Sequence, residues 1–535
     1  MGAQHAHFGQ NGADILGHLG SGRRLDPLTD PGQEPAQRHA KHPRQHRQLV
    51  GPGLCLILFP LRKGGDLHPD PLGEIALRHS SGLARRGKSV SESCALFAEP
   101  AGLGVRRHGT SRFGCTSISS LLCKSASEIH REPTMRLLSA TLDRVAPSPT
   151  MAMTGRAMAL RADGVDVIGL SAGEPDFDTP PHIRAAGIAA IEAGQTRYTA
   201  VDGIPELKAA IAEKFRRENG LSYATNQIMV ASGGKQVLYN ALMATLDPGD
   251  EVLIPAPYWV SYPDMVRLGG AEPVILPAPL EQGFKITSAQ LEAAITPRTK
   301  WLILNSPSNP TGAVYTPEEI AGLADVLRQA PSVWILSDDI YEHLTFGVTF
   351  STIAEIAPDL ADRTLTMNGV SKAYAMTGWR IGYAGGPAEL IGAMRKVQSQ
   401  STSNPCSISQ HAALAALTGP QDFLTDWCAT FRRRRDLVVD RLNAIPGITC
   451  PTPDGAFYVY PDISGLIGRR TAAGTVISSD KDFAMALLEE ANVAVVFGAA
   501  FGLSPAFRVS YACSEQMLET ACDRIARFCA GLSDT

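Results

Sequence analysis

The 535-residue sequence has no two cysteines at CxxC spacing, no hydrophobic run long enough to cross a membrane and no strong net charge. The formal net charge of −4 gives no reason to expect a nucleic-acid or membrane partner. The longest unbroken apolar run of the first part, residues 54–59, is far shorter than the roughly 20 residues of a membrane helix. No charged start with a long apolar run follows Met1, so no secretory signal is expected. The ten cysteines are therefore expected to be reduced thiols of a cytoplasmic protein.

The composition changes near residue 134. Residues 1–134 hold 10 of the 13 histidines, and their 17 Lys and Arg against 11 Asp and Glu give a net charge of +6, while the remainder carries −10. Glycine and proline interrupt every helical or strand period in this leader. Two interpretations remain open: a disordered basic tail, or upstream sequence that precedes a true start near Met135. The leader histidines repeat no ligand spacing, so no metal site is expected there.

From Met135 onward, strand-like and helix-like segments alternate, which is typical of an α/β fold. Several of the strand-like runs are apolar on both faces, as a buried parallel sheet requires. The pattern predicts seven strands, at residues 227–231, 251–255, 273–276, 301–305, 333–337, 364–367 and 380–384. Helical periodicity lies between most of them, for example at residues 205–218 and 317–327.

The pattern is different beyond residue 420. It predicts a long helix, a hairpin-like segment and a closing helix, at residues 423–442, 455–460 and 514–529. We expect a large sheet domain over residues 181–419. A smaller domain is expected to combine two separate segments, residues 135–180 and 420–535. Ligands of an open α/β sheet bind at the carboxyl ends of its strands, and the unusual residues of this chain fall at those ends.

Residues 369–382, with the sequence GVSKAYAMTGWRIG, are the most informative segment. An isolated lysine is normally a solvated surface group, but Lys372 lies among apolar and small residues directly after a predicted strand. Burial would lower the pKa of its amine and make it a nucleophile that can form a Schiff base. Arg380 lies eight positions later, and its planar guanidinium suits a phosphate group.

This segment resembles the pyridoxal-phosphate attachment motif of class I aminotransferases, the aspartate aminotransferase family. The likeness extends from about residue 145 to the C-terminus. It implies a fold-type I structure, in which a large and mainly parallel seven-stranded sheet domain is joined to a smaller α/β domain. It also implies a pyridoxal 5'-phosphate cofactor that Lys372 holds as a Schiff base, with the freed amine as the general base.

The resemblance assigns further residues to the cofactor. Gly233 and Gly234 open a predicted helix and resemble the phosphate cup, since free amides at a helix N-terminus favour an anion; alone, they could form a simple turn. Asp338 would meet the ring nitrogen, and its neighbour Asp339 is the weaker choice. Tyr341 and Asn309 match residues that meet the ring hydroxyl, and Trp259 matches the aromatic residue that stacks on the ring. Tyr198 matches a tyrosine that reaches the phosphate of the neighbouring subunit. The last match implies a homodimer with a shared active site.

Substrate binding requires a cation for the α-carboxylate, and Arg508 matches the family arginine with this role. Gly173 resembles the loop glycine that helps to hold the same group. Lys235 lies at a predicted helix N-terminus, where the macrodipole disfavours a cation, so an anionic group is expected nearby. In the bacterial branch that the chain resembles, a lysine at this position meets the side-chain carboxylate of aspartate or glutamate. Ser148 and Thr150 resemble residues that close over that carboxylate.

The expected reaction is transamination between L-aspartate and 2-oxoglutarate, giving oxaloacetate and L-glutamate. The chain departs from the common family pattern at Phe497 and Ser308, and neither departure removes a catalytic group. Prephenate, aromatic or kynurenine transamination and carbon–sulfur elimination use the same constellation and stay open as alternatives. A transcription regulator with an aminotransferase-like domain is a further alternative, but the leader lacks helix-turn-helix periodicity.

Overall fold

The computed structural model describes residues 137–534, and the expectations for the leader at residues 1–134 lie outside this range. Twelve strands lie within the described residues: β1 Ile168–Gly169, β2 Ile228–Ala231, β3 Glu251–Ala256, β4 Glu272–Pro277, β5 Thr299–Asn305, β6 Trp334–Asp338, β7 Thr364–Gly369, β8 Gly382–Gly385, β9 Tyr458–Val459, β10 Val493–Ala494, β11 Val496–Phe497 and β12 Phe507–Ser510.

The same range contains thirteen α-helices and several short 3-10 turns. The α-helices are α1 Pro149–Ala162, α2 Pro181–Glu192, α3 Pro205–Asn219, α4 Gly234–Thr245, α5 Tyr262–Leu268, α6 Ser288–Ala294, α7 Pro317–Arg328, α8 Ile353–Ile356, α9 Ala388–Ser399, α10 Ser407–Thr418, α11 Phe423–Asn443, α12 Asp480–Ala491 and α13 Glu515–Ala530. Local sequence explains where such helices begin. Before α7, the side chain of Thr316 accepts a hydrogen bond from the Glu319 amide while Glu319 reaches back to the Thr316 amide, and Pro317 fits the first turn.

Seven strands form one sheet in the order β2-β8-β7-β6-β5-β3-β4. β8 runs antiparallel to both β2 and β7, and every other neighbouring pair is parallel. The predicted α/β fold with a mainly parallel seven-stranded sheet is therefore confirmed. The predicted strand at residues 380–384 was wrong at its start. Arg380 adopts a left-handed conformation with φ of 58°, so the strand begins only at Gly382.

Both faces of this sheet are covered by apolar side chains, because successive residues of a strand point to opposite faces. In β3, Val252 and Ile254 pack into one hydrophobic cluster that also contains Val237 of α4. Leu253, between them, packs into a second cluster with Leu323 of α7. Helices on both faces leave the two edges at the strand ends open, and the carboxyl edge is where the candidate site residues lie.

A smaller region joins the start of the described chain to its C-terminal part. β1 pairs in parallel with β10, and β11, β12 and β9 form a three-stranded antiparallel sheet. The predicted hairpin at residues 455–460 was wrong, because only Tyr458–Val459 is extended and its partner is the distant strand β12. Sequence periodicity could not show this pairing, because about 50 residues separate the two strands. The exact domain limits at residues 180 and 419 stay a prediction.

No helix of residues 137–534 combines the length and the apolar character needed to cross a membrane. Six cysteines lie in the described residues, and all six are free thiols, as the sequence predicted for them.

Candidate active site

A cavity of about 420 Å³ opens at the carboxyl edge of the large sheet. Asp338 is the last residue of β6, Lys372 follows β7, and Gly234 follows β2. The cavity collects twelve of the fourteen site residues expected from the sequence: Ser148, Thr150, Gly173, Gly234, Lys235, Trp259, Asn309, Asp338, Tyr341, Lys372, Arg380 and Arg508. Gly233 lies beside the lining, and Tyr198 lies elsewhere on the surface.

Lys372 is one of the residues that line this cavity. Its Nζ donates a hydrogen bond to the carbonyl oxygen of Gly173 and lies 5.9 Å from the ring centroid of Tyr341. Burial and the positive charge of Arg508 together lower the pKa of Lys372 to about 8. A substantial fraction of this amine is therefore neutral near pH 8, as a nucleophile or a general base must be.

Asp338 is a buried carboxylate that faces the same cavity. Tyr262 donates a hydrogen bond of 2.5 Å to its Oδ2, and burial raises the pKa of Asp338 to about 6 against the opposing effects of Tyr262 and Lys372. The carboxylate is thus mostly ionised at neutral pH, and it accepts hydrogen bonds from the Tyr262 hydroxyl and the Ile340 amide. A protonated nitrogen of a bound ring would give it a directly bonded cation.

The loop after β5 is held against Asp338 by two asparagines. The side chain of Asn305 donates to the backbone carbonyl of Asp338 at 2.9 Å and accepts from the backbone amide of Asn309 at 2.8 Å. Asn309 Oδ1 in turn accepts a 2.9 Å hydrogen bond from Arg508 Nη1. Asn305 lies four residues before Asn309, and its bridging role depends on the adjacency of β5 and β6 in space.

Arg508, on β12, is buried and lines the same cavity. Its Nη2 donates to the backbone carbonyl of Ser171 at 2.6 Å, and the rings of Tyr458 and Phe501 lie 4.7 and 5.0 Å from its central carbon. Among the described residues, its buried Nε has no hydrogen-bond partner. Such a fixed and partly unpaired guanidinium suits a carboxylate ligand.

The start of α4 and Arg380 form an anion-binding corner. The first amides of a helix have no partner within it, and here Gly234 and Lys235 occupy these positions. Gly233 has φ of 94°, and a Cβ atom there would overlap the guanidinium of Arg380. Only glycine therefore lets the arginine approach this helix terminus.

Lys235 extends from the same corner into the cavity, with its Nζ 4.8 Å from the ring centroid of Trp259. Burial and the nearby Arg380 lower the pKa of Lys235. Ser148 and Thr150, at the start of α1, line the cavity as well. The structure therefore brings Lys235 together with both residues that were expected to accompany it.

Tyr198 does not line this cavity, since its side chain is 89% exposed. Two further cavity residues, Tyr262 and Tyr458, were not identified from the sequence. Tyr262 follows Trp259 by three residues, so its place on the first turn of α5 was the available signal. Tyr458 is brought to the site by the pairing of β9 with β12, for which the sequence carries no local signal.

The family described as aminotransferase class I and II matches residues 165–525. The chain is 67% identical to an aspartate/prephenate aminotransferase of Cereibacter sphaeroides over 400 residues, which are 75% of this chain and 100% of the relative. It is 56% identical to an aspartate aminotransferase of Rhizobium meliloti over 393 residues, 73% of this chain and 96% of the relative.

Solved structures agree with these relatives. A crystal structure of the aspartate aminotransferase from Rhizobium meliloti has a TM-score of 0.73 and 55% identity, covering 74% of this chain and 100% of the other. The aspartate aminotransferase of Thermus thermophilus with maleate has a TM-score of 0.69 and 45% identity, with the same two coverages. The expected fold-type I architecture is confirmed, and the chain belongs to the class I and II aminotransferase family.

Proposed function

We propose that the protein is a pyridoxal 5'-phosphate-dependent aminotransferase that exchanges the amino group between L-aspartate and 2-oxoglutarate, giving oxaloacetate and L-glutamate. One observation carries the proposal. A lysine with a lowered pKa, a buried carboxylate and an anion-binding corner line one cavity, which Arg508 lines as well. The names of the full-length relatives support the same activity.

The residues present fit pyridoxal phosphate. The amides of Gly234 and Lys235 and the guanidinium of Arg380 would hold its phosphate, and Asp338 would hold its ring nitrogen. Lys372 lines the same cavity as these residues and would bind the cofactor covalently. When bound, this cofactor supplies a ring that accepts the electron pair left after a C–H bond of the amino acid breaks.

The remaining chemistry belongs to the protein. Nε of Arg508 would take the α-carboxylate, which fixes the substrate Cα near Lys372. The neutral amine of Lys372 would accept the Cα proton of the amino acid at its Nζ. In the reverse half-reaction, it would return a proton to Cα. Trp259 would stack on the cofactor ring, and Tyr341 and Asn309 would meet its hydroxyl. Lys235 would pair with the second carboxylate of aspartate or glutamate, with Ser148 and Thr150 closing over it.

A shared site in a homodimer is part of this proposal. Tyr198 is 89% exposed in the single chain and would reach the phosphate bound by a second copy. Ile188 and Ile191, on α2 shortly before Tyr198, are also more than half exposed. Large apolar side chains exposed close together in the sequence favour an interface, which supports the assembly.

Prephenate is a second candidate substrate. A further cavity of about 470 Å³ adjoins the first, and Ser148, Lys235 and Arg380 line both. This extra space beyond Lys235 would accommodate a larger carboxylate substrate, and the Cereibacter sphaeroides relative is named for both activities. Rates of glutamate-dependent amination of prephenate and of oxaloacetate by the same preparation would decide between one and two acceptors.

The visible absorption spectrum of the protein loaded with pyridoxal phosphate tests the proposal directly. We expect L-aspartate to remove the band of the lysine-bound cofactor and 2-oxoglutarate to restore it. A band that does not change with aspartate but changes with tyrosine or cystathionine would indicate that the substrates are aromatic or sulfur-containing amino acids. Absence of any band after adding the cofactor would overturn the proposal.

A further inference from the structure

Tyr458 lies next to three parts of the site, which are Tyr341, Arg508 and the loop that contains Gly173. Its side chain is fully buried on β9, and its hydroxyl lies 2.9 Å from the hydroxyl of Tyr341. Its ring centroid lies 4.7 Å from the central carbon of Arg508. A Cβ atom added to Gly173 would lie 2.9 Å from the Tyr458 hydroxyl, so this loop, whose carbonyl accepts from Lys372, also packs against it.

Either tyrosine hydroxyl could donate the hydrogen bond between them, and the number of protons on each phenol determines which one does. A phenol carries one proton and can donate it once. If Tyr341 donates its proton to the cofactor ring oxygen, as in the proposed function, it must accept the proton of Tyr458. Tyr458 would then orient the Tyr341 hydroxyl toward the cavity and, through hydrogen-bond polarisation, make it a stronger donor.

The ring of Tyr458 acts on a different group. The guanidinium of Arg508 is held in its plane by Asn309 and the Ser171 carbonyl, and aromatic faces lie against it. A cation over an aromatic face is stabilised, and packing limits its movement. The ring would therefore hold the guanidinium of Arg508 in place for the substrate carboxylate.

We propose that Tyr458 is a positioning residue with two separable parts: its hydroxyl orients Tyr341 toward the cofactor ring oxygen, and its ring fixes Arg508 for the substrate carboxylate. The inference rests on the proposed function, because it assigns roles toward the same cofactor and carboxylate. Two substitutions separate the parts. Tyr458→Phe removes only the hydroxyl, and Tyr458→Leu removes both.

The hydroxyl is tested by pH titration of the visible band of the loaded protein. In Tyr458→Phe, the ring oxygen would receive a weaker hydrogen bond, keep more negative charge and hold the nearby proton at Lys372 Nζ more tightly. We expect the titration midpoint to rise, the pyridoxal phosphate Kd to increase about 2- to 10-fold, and kcat to fall with little change in KM for aspartate.

The ring is tested with succinate, a dicarboxylate that needs no cofactor chemistry. We expect Tyr458→Leu to weaken succinate binding about 3- to 30-fold, measured as succinate-dependent thermal stabilisation of the cofactor-free protein, while Tyr458→Phe binds it normally. Tyr511→Phe is the matched control, since it removes a buried hydroxyl that donates to the Ala456 carbonyl outside the cavity. It should change neither the titration midpoint nor succinate binding.

The outcomes separate the inference from the proposed function. An unshifted midpoint and an unchanged cofactor Kd in Tyr458→Phe, with a normal wild-type band, would refute the role of the hydroxyl alone. Equal succinate binding in Tyr458→Leu and wild type would refute the role of the ring. A wild-type protein without any band would overturn the proposed function and the hydroxyl role with it, while the succinate experiment would still report on Arg508.

Discussion

Arg508 Nη1 donates a 2.9 Å hydrogen bond to Oδ1 of Asn309, which joins the wall that would bind the substrate to the loop that would bind the cofactor. With Nη2 on the Ser171 carbonyl, two of the three nitrogen groups of the guanidinium are fixed by the protein. The third, Nε, is buried without a partner among the described residues. A bound carboxylate would therefore complete a geometry that the protein has already set.

Replacing Arg508 by lysine tests this geometry. Lysine keeps the positive charge but cannot hold the planar fork, so we expect KM for both aspartate and 2-oxoglutarate to rise about 10- to 100-fold. Arg395→Lys, at a largely exposed arginine of α9, is the control. Unchanged KM values in Arg508→Lys would show that another group binds the α-carboxylate.

Lys235 determines the preference for acidic substrates in the proposed function. In Lys235→Ala, we expect KM for aspartate to rise about 10- to 100-fold, because a charge-assisted contact is lost, while KM for tyrosine changes little. The exposed Lys396, replaced by alanine, controls for the loss of a positive charge. Parallel changes for aspartate and tyrosine would mean that Lys235 does not contact the side-chain carboxylate.

Asp338 is expected to lower the stability of the cofactor-free protein. Its pKa is raised from 3.8 to about 6 by burial, so between these values the folded protein keeps a proton that the unfolded chain releases. Stability therefore falls as the pH rises, and the loss is complete above about pH 6. We expect Asp338→Asn to stabilise the cofactor-free protein by up to about 3 kcal/mol at pH 8 and to have little effect near pH 4.

Urea unfolding of both proteins at the two pH values measures this difference. Asp178→Asn, at a carboxylate whose side chain is 90% exposed, should change stability little at either pH. A uniform effect of Asp338→Asn at pH 4 and pH 8 would contradict the assignment of the cost to the charged carboxylate. The loaded variant should still lose most of its turnover, because the ring nitrogen would lack its partner.

A buried ion pair joins α3 to the segment that follows β6. Lys214 of α3 is fully buried, contacts the Glu342 carboxylate and donates to Asn219 Oδ1 at 2.8 Å. Burial alone would raise the pKa of Glu342, but Lys214 and His343 bring it below its ordinary value. Glu218, Glu342 and His343 could together hold a metal ion, yet the ammonium of Lys214 already balances these carboxylates.

Removing one partner should leave an uncompensated buried charge. We expect Lys214→Met to destabilise the protein by about 3–5 kcal/mol at pH 8, measured by urea unfolding. The double variant Lys214→Met/Glu342→Gln should recover part of this loss, because the buried charge is then absent as well. A double variant less stable than the single one would contradict this explanation.

Complementation tests the shared site. In a hybrid of one Lys372→Ala subunit and one Tyr198→Ala subunit, one of the two sites would contain both intact residues. Each homodimer alone should be nearly inactive or impaired, and an equal random mixture should regain about one quarter of the wild-type rate, since about half of the dimers are hybrids. A mixture that only averages the two parents would refute the contribution of Tyr198 across the interface.

Local sequence predicted much of this site, because Lys372, Asp338 and Gly234 each lie at or just beyond the end of a strand whose apolar pattern is evident. The resemblance to the family then assigned roles that spacing alone left open, such as that of Arg508. Other features depend on distant contacts. Tyr458 reaches the cavity through the pairing of β9 with β12. The left-handed conformation of Arg380 makes β8 begin later than the sequence pattern predicts. Tyr198 acts, in our proposal, only on a second chain.

The reversed direction of β8 has a practical consequence for engineering. Because β7 and β8 are antiparallel neighbours, residues 370–381 leave and re-enter the sheet at the same edge and carry both Lys372 and Arg380. A single residue inserted between Lys372 and Arg380 would change the spacing of the amine and the guanidinium. The connection at residues 329–333, before β6, lies at the opposite edge with Pro331 and Ser332 exposed, and offers a site for tags or inserted peptides far from the chemistry.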